Sequence, residues 1–473
     1  MTSPIKFGTD GWRALIAEDY TFDNVRICAQ ATMDWLKSTE RAAGGLVIGY
    51  DTRFGSERFA QAVAEVAAGN GVKVLLTREA TPTPVVSYNV MNRQAGGGVI
   101  ITSSHNPASY NGFKIKTHVG ASAEPEVIDD VEARIDGISL ESVKRTSFKD
   151  ALSRGQVEVI DAKVSYLEQV HRLVDLGPIR EAGLTVAIDA MFGAGSGYFQ
   201  SLLLGGSTRL LELRQEYNPG FPGIAPEPIL PHINLLLETI RSQGADVGLA
   251  TDGDADRIGL ADEHGTFINQ HQVYALLFLY LLEQRGLRGP AVRSVTSTEM
   301  ADALGRQFDV PVYETAVGFK YVGPRMVETN AIIGGEESGG FGFAGHIPER
   351  DAIVAGVYLL DLMVKLQRPM SGVLDYLRDK VGPRFYHRWD VDFPADQREI
   401  IAHRVATATP AEVDGSPVAS LNTIDGYKWS LEDGSWLLIR FSGTEPLLRI
   451  YTETNAQDRV ERILSAGKQI AGV

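Results

Sequence analysis

Three stretches of the chain repeat one pattern: a glycine, a short β-branched and apolar run, then a polar or glycine-bearing turn before a helical periodicity. They are Gly45-Leu-Val-Ile-Gly-Tyr-Asp51, Gly183-Leu-Thr-Val-Ala-Ile-Asp189 and Gly289-Pro-Ala-Val-Arg-Ser-Val295. Short apolar runs bounded by turn residues read as buried strands, and strands alternating with helical patterns predict α/β units. The starts lie 138 and 106 residues apart, too far for a solenoid, and suit three α/β domains that each restart with a strand-to-helix unit. Beyond Pro383 the period changes. Arg384-Phe-Tyr-His-Arg-Trp-Asp-Val-Asp-Phe393 alternates as a strand does, and a helix follows near Asp396 to Thr407. Strands at Trp429 and at Trp436 to Phe441, then a closing helix from Ala456, complete a smaller α+β domain. A chain of 473 residues is too long for one core. The expected domains are 1–150, 151–260, 261–380 and 381–473. The longest apolar run, Val273 to Leu282, is too short to span a bilayer and predicts a buried helix.

Four segments break this patterning with chemistry. In Gly98-Val-Ile-Ile-Thr-Ser-Ser-His-Asn-Pro-Ala-Ser-Tyr-Asn-Gly-Phe-Lys114 the strand Val99 to Ile101 stops at hydroxyls and an imidazole, and Asn106-Pro107 turns the chain away. Ser103, Ser104 and His105 then stand at a strand end, where open α/β sheets place ligands. In Asp246-Val-Gly-Leu-Ala-Thr-Asp-Gly-Asp-Ala-Asp-Arg257 a strand ends in alternating carboxylates, with Gly253 and Ala255 small enough for Asp252, Asp254 and Asp256 to converge. Such a triplet repels itself unless a divalent cation neutralises it, and an all-oxygen donor set suits Mg²⁺. The same spacing opens an EF-hand, but Arg257 holds the position that needs glycine. A phosphatase with a phosphorylated Asp252, or a solvated acidic loop, also fits this segment alone.

Gly334-Gly-Glu-Glu-Ser-Gly-Gly340 follows the apolar Ala331-Ile-Ile333, and its Glu336 and Ser338 suit the neighbouring hydroxyls of a sugar. Arg440-Phe-Ser-Gly-Thr-Glu-Pro-Leu-Leu-Arg449 sets two guanidinium groups around Ser442, Gly443 and Thr444, the donors that a phosphate dianion requires. Gly193-Ala-Gly-Ser-Gly197 is not a dinucleotide loop, because Tyr198 replaces the third glycine.

A net charge of −15 opposes a nucleic-acid or anionic-membrane surface, so an anionic substrate must be gathered by local cations. Cys28 is the only cysteine, which excludes an intrachain disulfide and suits a reducing compartment. Residues Met1 to Asp10 carry Lys6 and Asp10 without an apolar core, so no secretory signal is expected and a cytoplasmic enzyme is. Monomer and dimer are equally compatible with the sequence.

Taken in order, these segments resemble the α-D-phosphohexomutases, the phosphoglucomutase and phosphomannomutase superfamily. Phe7-Gly-Thr-Asp-Gly-Trp-Arg13 is similar to its amino-terminal motif, and Asp51-Thr-Arg-Phe-Gly-Ser56 to its next one, though Arg53 equally suits a structural ion pair. The resemblance implies three related α/β/α domains with mixed sheets and a carboxy-terminal α+β domain around a central cleft. It implies that Ser104 carries a phosphoryl group and joins Asp252, Asp254 and Asp256 as a Mg²⁺ ligand. Arg13, His105, Lys114 and Arg257 would enter the active site, with Lys114 acting as acid or base if neighbouring cations lower its pKa. Glu336 and Ser338, with Gly318 and Lys320, would hold the hexose. Arg440, Ser442, Gly443, Thr444 and Arg449 would anchor the distal phosphate.

The reaction implied moves phosphate between O1 and O6 of a hexose through bound glucose 1,6-bisphosphate, with some hinge motion of the last domain. Gly318-Phe-Lys320 and His346-Ile-Pro-Glu-Arg-Asp351 look more like glucose-specific members, and Gly340 stands where dual-specificity members usually carry histidine. Glucose phosphates are therefore the expected substrates; mannose and glucosamine phosphates are the alternatives. A metal-dependent phosphatase and a non-catalytic sugar-phosphate binding protein are the readings from other classes.

Overall fold

The computed structural model describes residues 5–442 and 447–473, so Gly443 and Thr444 lie outside the described residues. Four sheets follow one another along the chain. In the first, Leu46–Tyr50 is flanked in parallel by Val74–Thr77 and Gly97–Ile101, and Gly97–Ile101 then pairs antiparallel with Tyr110–Lys116. In the second, Thr185–Asp189 lies parallel to Arg209–Leu213 and Val247–Thr251, and Val247–Thr251 pairs antiparallel with Ile258–Ala261. In the third, Ala291–Ser294 lies parallel to Val312–Thr315 and Ile333–Gly335, and Ile333–Gly335 pairs antiparallel with Phe341–Phe343. The three repeated sequence segments thus become the middle strand of each parallel trio. Each trio ends in a hairpin, and the serine, aspartate and sugar-loop segments are those three hairpin turns.

The first sheet continues past the expected boundary at 150, because Val157–Ile160 pairs in parallel with Val74–Thr77. Likewise Phe267–Ile268 closes the second sheet beyond 260. Both are short strands whose membership is set by a distant partner rather than by local composition.

The last domain is an antiparallel sheet of six strands with the helices Arg398–Ala406 and Val460–Ala471. Two of its longer strands, Ser416–Asn422 and Leu447–Thr454, were not expected, nor was the two-residue Glu412–Val413. The first is polar with little burial, and the second follows directly on the phosphate-loop motif that dominated its sequence. Val273 to Leu282 is buried helix as expected, begun by a capping box between Asn269 and Gln272. Among the described residues no helix is long and apolar enough to cross a membrane.

One apolar core joins the second and third domains and takes in Tyr88 of the first, with Val186, Leu249, Ile333 and Leu360, while the first domain keeps a further core around Trp12, Ile48, Val63 and Phe113. The last domain has its own core around Trp429, Leu437, Ile450 and Leu464. It meets the third domain through a small cluster of Val295, Trp436, Leu438 and Tyr451.

Candidate active site

The turn after Gly97–Ile101 is held open from below by Arg53. Its guanidinium donates to the carbonyls of Ser104 and Asn106 at 2.6 Å, of Pro107 at 2.8 Å and of Tyr110 at 3.2 Å. Arg53 is fully buried and paired with Asp51 at 3.0 Å, so it is a structural ion pair that shapes the loop. Ser104 takes a left-handed backbone conformation, φ 52°, which a serine adopts only where its surroundings impose it. Its Oγ donates to Asp252 Oδ2 at 2.7 Å. The aspartate turn approaches so closely that a Cβ on Gly253 would lie 2.5 Å from the Ser104 carbonyl oxygen, so the second turn needs glycine there.

Asp252, Asp254 and Asp256 are completely buried, with ligand oxygens within 4.8 Å of one another. Asp252 Oδ1 accepts from the amides of Asp256 and Arg257 at 3.0 and 3.1 Å. Asp254 Oδ2 accepts from Thr83 Oγ1 at 2.6 Å and from Lys114 Nζ at 2.8 Å. Asp256 Oδ2 lies 3.2 Å from Lys114 Nζ and 2.9 Å from an Arg350 nitrogen. The Oδ1 atoms of Asp254 and Asp256 are buried and have no hydrogen-bond partner among the described residues. Orphaned buried carboxylate oxygens facing a common point fit a hard divalent cation, which removes both their repulsion and their missing bonds. Burial and the two neighbouring carboxylates push Asp252 well above the usual carboxylate pKa. Burial pushes Asp254 upward too, but Lys114 outweighs it and holds the group below its ordinary value.

The charges that surround Lys114 most closely are carboxylates rather than cations. Burial works to lower its pKa, but the carboxylates of Asp10, Asp254 and Asp256 overcome this and raise it, so neighbouring charges strengthen the ammonium rather than weaken it. Asp10, 2.7 Å from Lys114 and 2.7 Å from Arg350, is the unforeseen member of the site. It lies in Gly8-Thr-Asp-Gly11, three residues before Arg13. Arg13 donates to Asn106 Oδ1 at 2.9 Å and lies 3.7 Å from Asp10, so it braces the serine turn. His105 is driven well below its usual pKa by burial and by Arg257 and Arg13, which leaves a neutral imidazole. Arg257 lies 3.8 Å from Asp256 and 3.9 Å from Glu227, with its Nε unpaired among the described residues.

Arg350 is the second unforeseen residue. It joins Asp10, Asp256 and Glu349 (3.1 Å), and lies 3.9 Å from Glu336 of the sugar loop. Burial raises the Glu336 pKa against the pull of Arg350 and Arg257. Ser338 is half-buried in the same turn. Gly318 has φ 128°, and a Cβ there would lie 3.8 Å from Thr9 in the amino-terminal motif. Lys320 lines a cleft of about 630 Å³ with Glu124, Glu314, Tyr321 and Arg325, and a smaller cavity with Asp10 and Lys114.

Arg440 and Arg449 stand directly opposite each other on neighbouring strands, so both guanidinium groups rise from one face. Arg440 Nε donates to Asp425 Oδ1 at 2.8 Å, and Arg449 Nε lies 3.9 Å from Asp390 without a hydrogen-bond partner among the described residues. Ser442 is buried, and its carbonyl accepts from Arg398 at 2.8 Å.

Four family models match the chain in sequence order. Phosphoglucomutase/phosphomannomutase alpha/beta/alpha domains I, II and III match residues 4–142, 164–265 and 269–381, and the C-terminal domain of that family matches 399–466. A Thermococcus kodakarensis phosphoglucomutase/phosphomannomutase is 29% identical, over 98% of this chain and 97% of its own length. A provisionally named phosphoglucosamine mutase of Methanothermobacter thermautotrophicus is 31% identical, over 97% of this chain and 96% of its own. A crystal structure from Thermus thermophilus, provisionally named a phosphomannomutase, superposes with a TM-score of 0.86 at 31% identity over 100% of both chains. With four domains matched in order and relatives covered from end to end, the chain belongs to the phosphoglucomutase/phosphomannomutase family, as a phosphohexomutase that transfers phosphate within a sugar phosphate.

Proposed function

We propose that this mutase interconverts glucose 1-phosphate and glucose 6-phosphate through a phosphoserine at Ser104. The observation that carries the reading is the Ser104 hydroxyl bonded to Asp252 at the edge of a buried aspartate triplet. Asp252, Asp254, Asp256 and a phosphoryl oxygen on Ser104 would hold Mg²⁺, which when bound offsets charge on the transferring group. Arg257 and the Lys114 ammonium add positive charge at the same place, while His105 and Arg13 shape the serine turn. The phosphoryl group on Ser104 passes to the free hydroxyl of the bound sugar phosphate. The resulting glucose 1,6-bisphosphate reorients, and its other phosphate returns to Ser104. Glu336 and Ser338, with Gly318 and Lys320, grip the sugar, while Arg440, Ser442, Gly443, Thr444 and Arg449 hold the phosphate that is not reacting. The sole, buried cysteine suits a cytoplasmic setting.

The preference for glucose is supported by Gly340. A side chain there would overlap Arg350, whose present position ties Asp10, Asp256 and Glu349 together, so histidine at 340 is incompatible with this arrangement. The phosphatase reading is disfavoured because the relatives matched from end to end are named as mutases. Phosphoglucosamine mutation is the second reading, favoured by the 31% identical relative of that name.

The test compares turnover on glucose, mannose, glucosamine and N-acetylglucosamine 1-phosphates, with intact-mass analysis after glucose 1,6-bisphosphate treatment. Fastest turnover on glucose 1-phosphate, with a hydroxylamine-stable adduct that disappears in Ser104→Ala, is expected. A hydroxylamine-labile adduct would overturn the serine assignment, and a larger rate on glucosamine 1-phosphate would overturn the sugar.

A further inference from the structure

We infer that Glu337 and Asp425 are positioning residues that tie the two phosphate-anchoring arginines to the two sugar-recognising segments. The inference rests on the mutase reading, which gives those roles to Arg440 and Arg449 and to the segments around residues 318–320 and 336–338.

The first path starts at Glu337, which stands between Glu336 and Ser338 in the sugar loop. Its Oε1 accepts from Tyr386 Oη at 2.7 Å and from Arg388 Nη1 at 3.2 Å, both on the first strand of the last domain. Arg388 also pairs with Asp390 at 2.8 Å. Asp390 is the strand partner of Arg449, with 3.9 Å between their charged groups. Tyr386 is seated by the buried His271 ring of the third domain, centroid to centroid 3.9 Å. The second path runs through Asp425. One of its oxygens accepts from Arg440 Nε at 2.8 Å, and the other accepts from the Val317 amide at 3.0 Å, the residue before Gly318.

Each anchoring guanidinium is thereby linked through carboxylates to a backbone segment that would hold the sugar. A carboxylate on Nε fixes the plane of a guanidinium and leaves its two terminal nitrogens free for a phosphate. The distance between the sugar seat and the phosphate seat is then set by side-chain bonds across the domain junction; Arg440 is oriented by its hydrogen bond to Asp425, and Arg449 is drawn toward Asp390 by charge attraction at 3.9 Å. Losing a tie leaves the chemistry at Ser104 intact but makes ordering of the anchor part of binding, so the expected signature is in KM rather than kcat.

Full-length Glu337→Gln and Asp425→Asn are compared with the unaltered enzyme. Each should raise KM for glucose 1-phosphate about five- to tenfold with kcat within about twofold. Inorganic phosphate affinity, measured by calorimetry in a Ser104→Ala background, should fall in parallel. Glu337→Gln added to Arg388→Met should cause no further loss, since both cut one path, whereas Glu337→Gln and Asp425→Asn should multiply. Unchanged KM and phosphate affinity, or a fall in Tm or kcat alone, would show these to be merely joints of the fold and overturn the inference. If the unaltered enzyme interconverts no hexose phosphate, the mutase reading fails separately, and phosphate calorimetry still decides the ties.

Discussion

Around the aspartate triplet, side chains from three domains meet in one buried cluster of charges: Asp10 and Lys114 from the first, Asp254 and Asp256 from the second, Arg350 from the third. Around the anchoring arginines the construction differs. The last domain has a core of its own and is fastened to the third by polar bonds. Lys428 reaches Glu314 at 2.6 Å and Glu299 at 3.1 Å, and Thr298 donates to Glu453 at 2.9 Å. Phosphoryl transfer needs its charges fixed before the reaction, which burial and mutual ion pairing accomplish. On the proposed mechanism the seat for the spectator phosphate must release and recapture its ligand, and a junction of polar bonds around one small apolar cluster of Val295, Trp436, Leu438 and Tyr451 exposes little hydrophobic surface when it opens. On the proposed mechanism, the contrast sets the fully buried charges where bonds change and the largely polar junction where the intermediate turns.

Breaking the buried side should cost most. Ser104→Ala should lower mutase turnover at least about a thousandfold while substrate affinity by calorimetry stays within about threefold, separating chemistry from anchoring. Asp254→Asn should abolish high-affinity Mg²⁺ binding in a calorimetric titration and lower turnover by about the same factor, since one of the three carboxylate ligands and one of the three carboxylates around Lys114 are lost together. Arg350→Met leaves Asp10 and Asp256 buried with less compensation. Denaturant unfolding should show a loss of about 3 to 5 kcal/mol, and turnover should fall about a hundredfold.

The junction should respond to pH instead. Burial pushes Glu453 up to about 7 from an ordinary 4.5, so the folded protein holds this proton more tightly than the unfolded chain. Its stabilising share is complete below about pH 4.5, drains away as pH rises, and is gone above about 7. The loss is at most about 3 kcal/mol. Glu453→Gln should therefore show a flatter dependence of Tm on pH between about 4.5 and 7. An unaltered slope would mean that this carboxyl does not titrate in the junction.

The chemical segments were legible because each is local. Gly253 and Ala255 permit three carboxylates to crowd, Asn106-Pro107 ends a strand beside a serine, and a glycine before each apolar run marks where a domain restarts. These signals depend only on backbone freedom and on residues a few positions apart. Arg53 was left open between active site and scaffold, and only its bonds to four carbonyls decided for the scaffold. The sign of the Lys114 shift was not legible either, because it depends on which charges surround the group, and the decisive ones come from Asp10, Asp254 and Asp256.

What the chain determines by itself is the order of its strands and turns and the chemical type of each turn, since hydrophobic period, glycine and proline act within a few residues. Tertiary structure alone decided that Asp10 and Arg350, 340 residues apart, share one carboxylate contact. It also gave Glu337 a partner in another domain. Such pairings follow from how sheets stack and cores merge, and in a low-dielectric interior that stacking, rather than sequence neighbourhood, selects which charges feel each other.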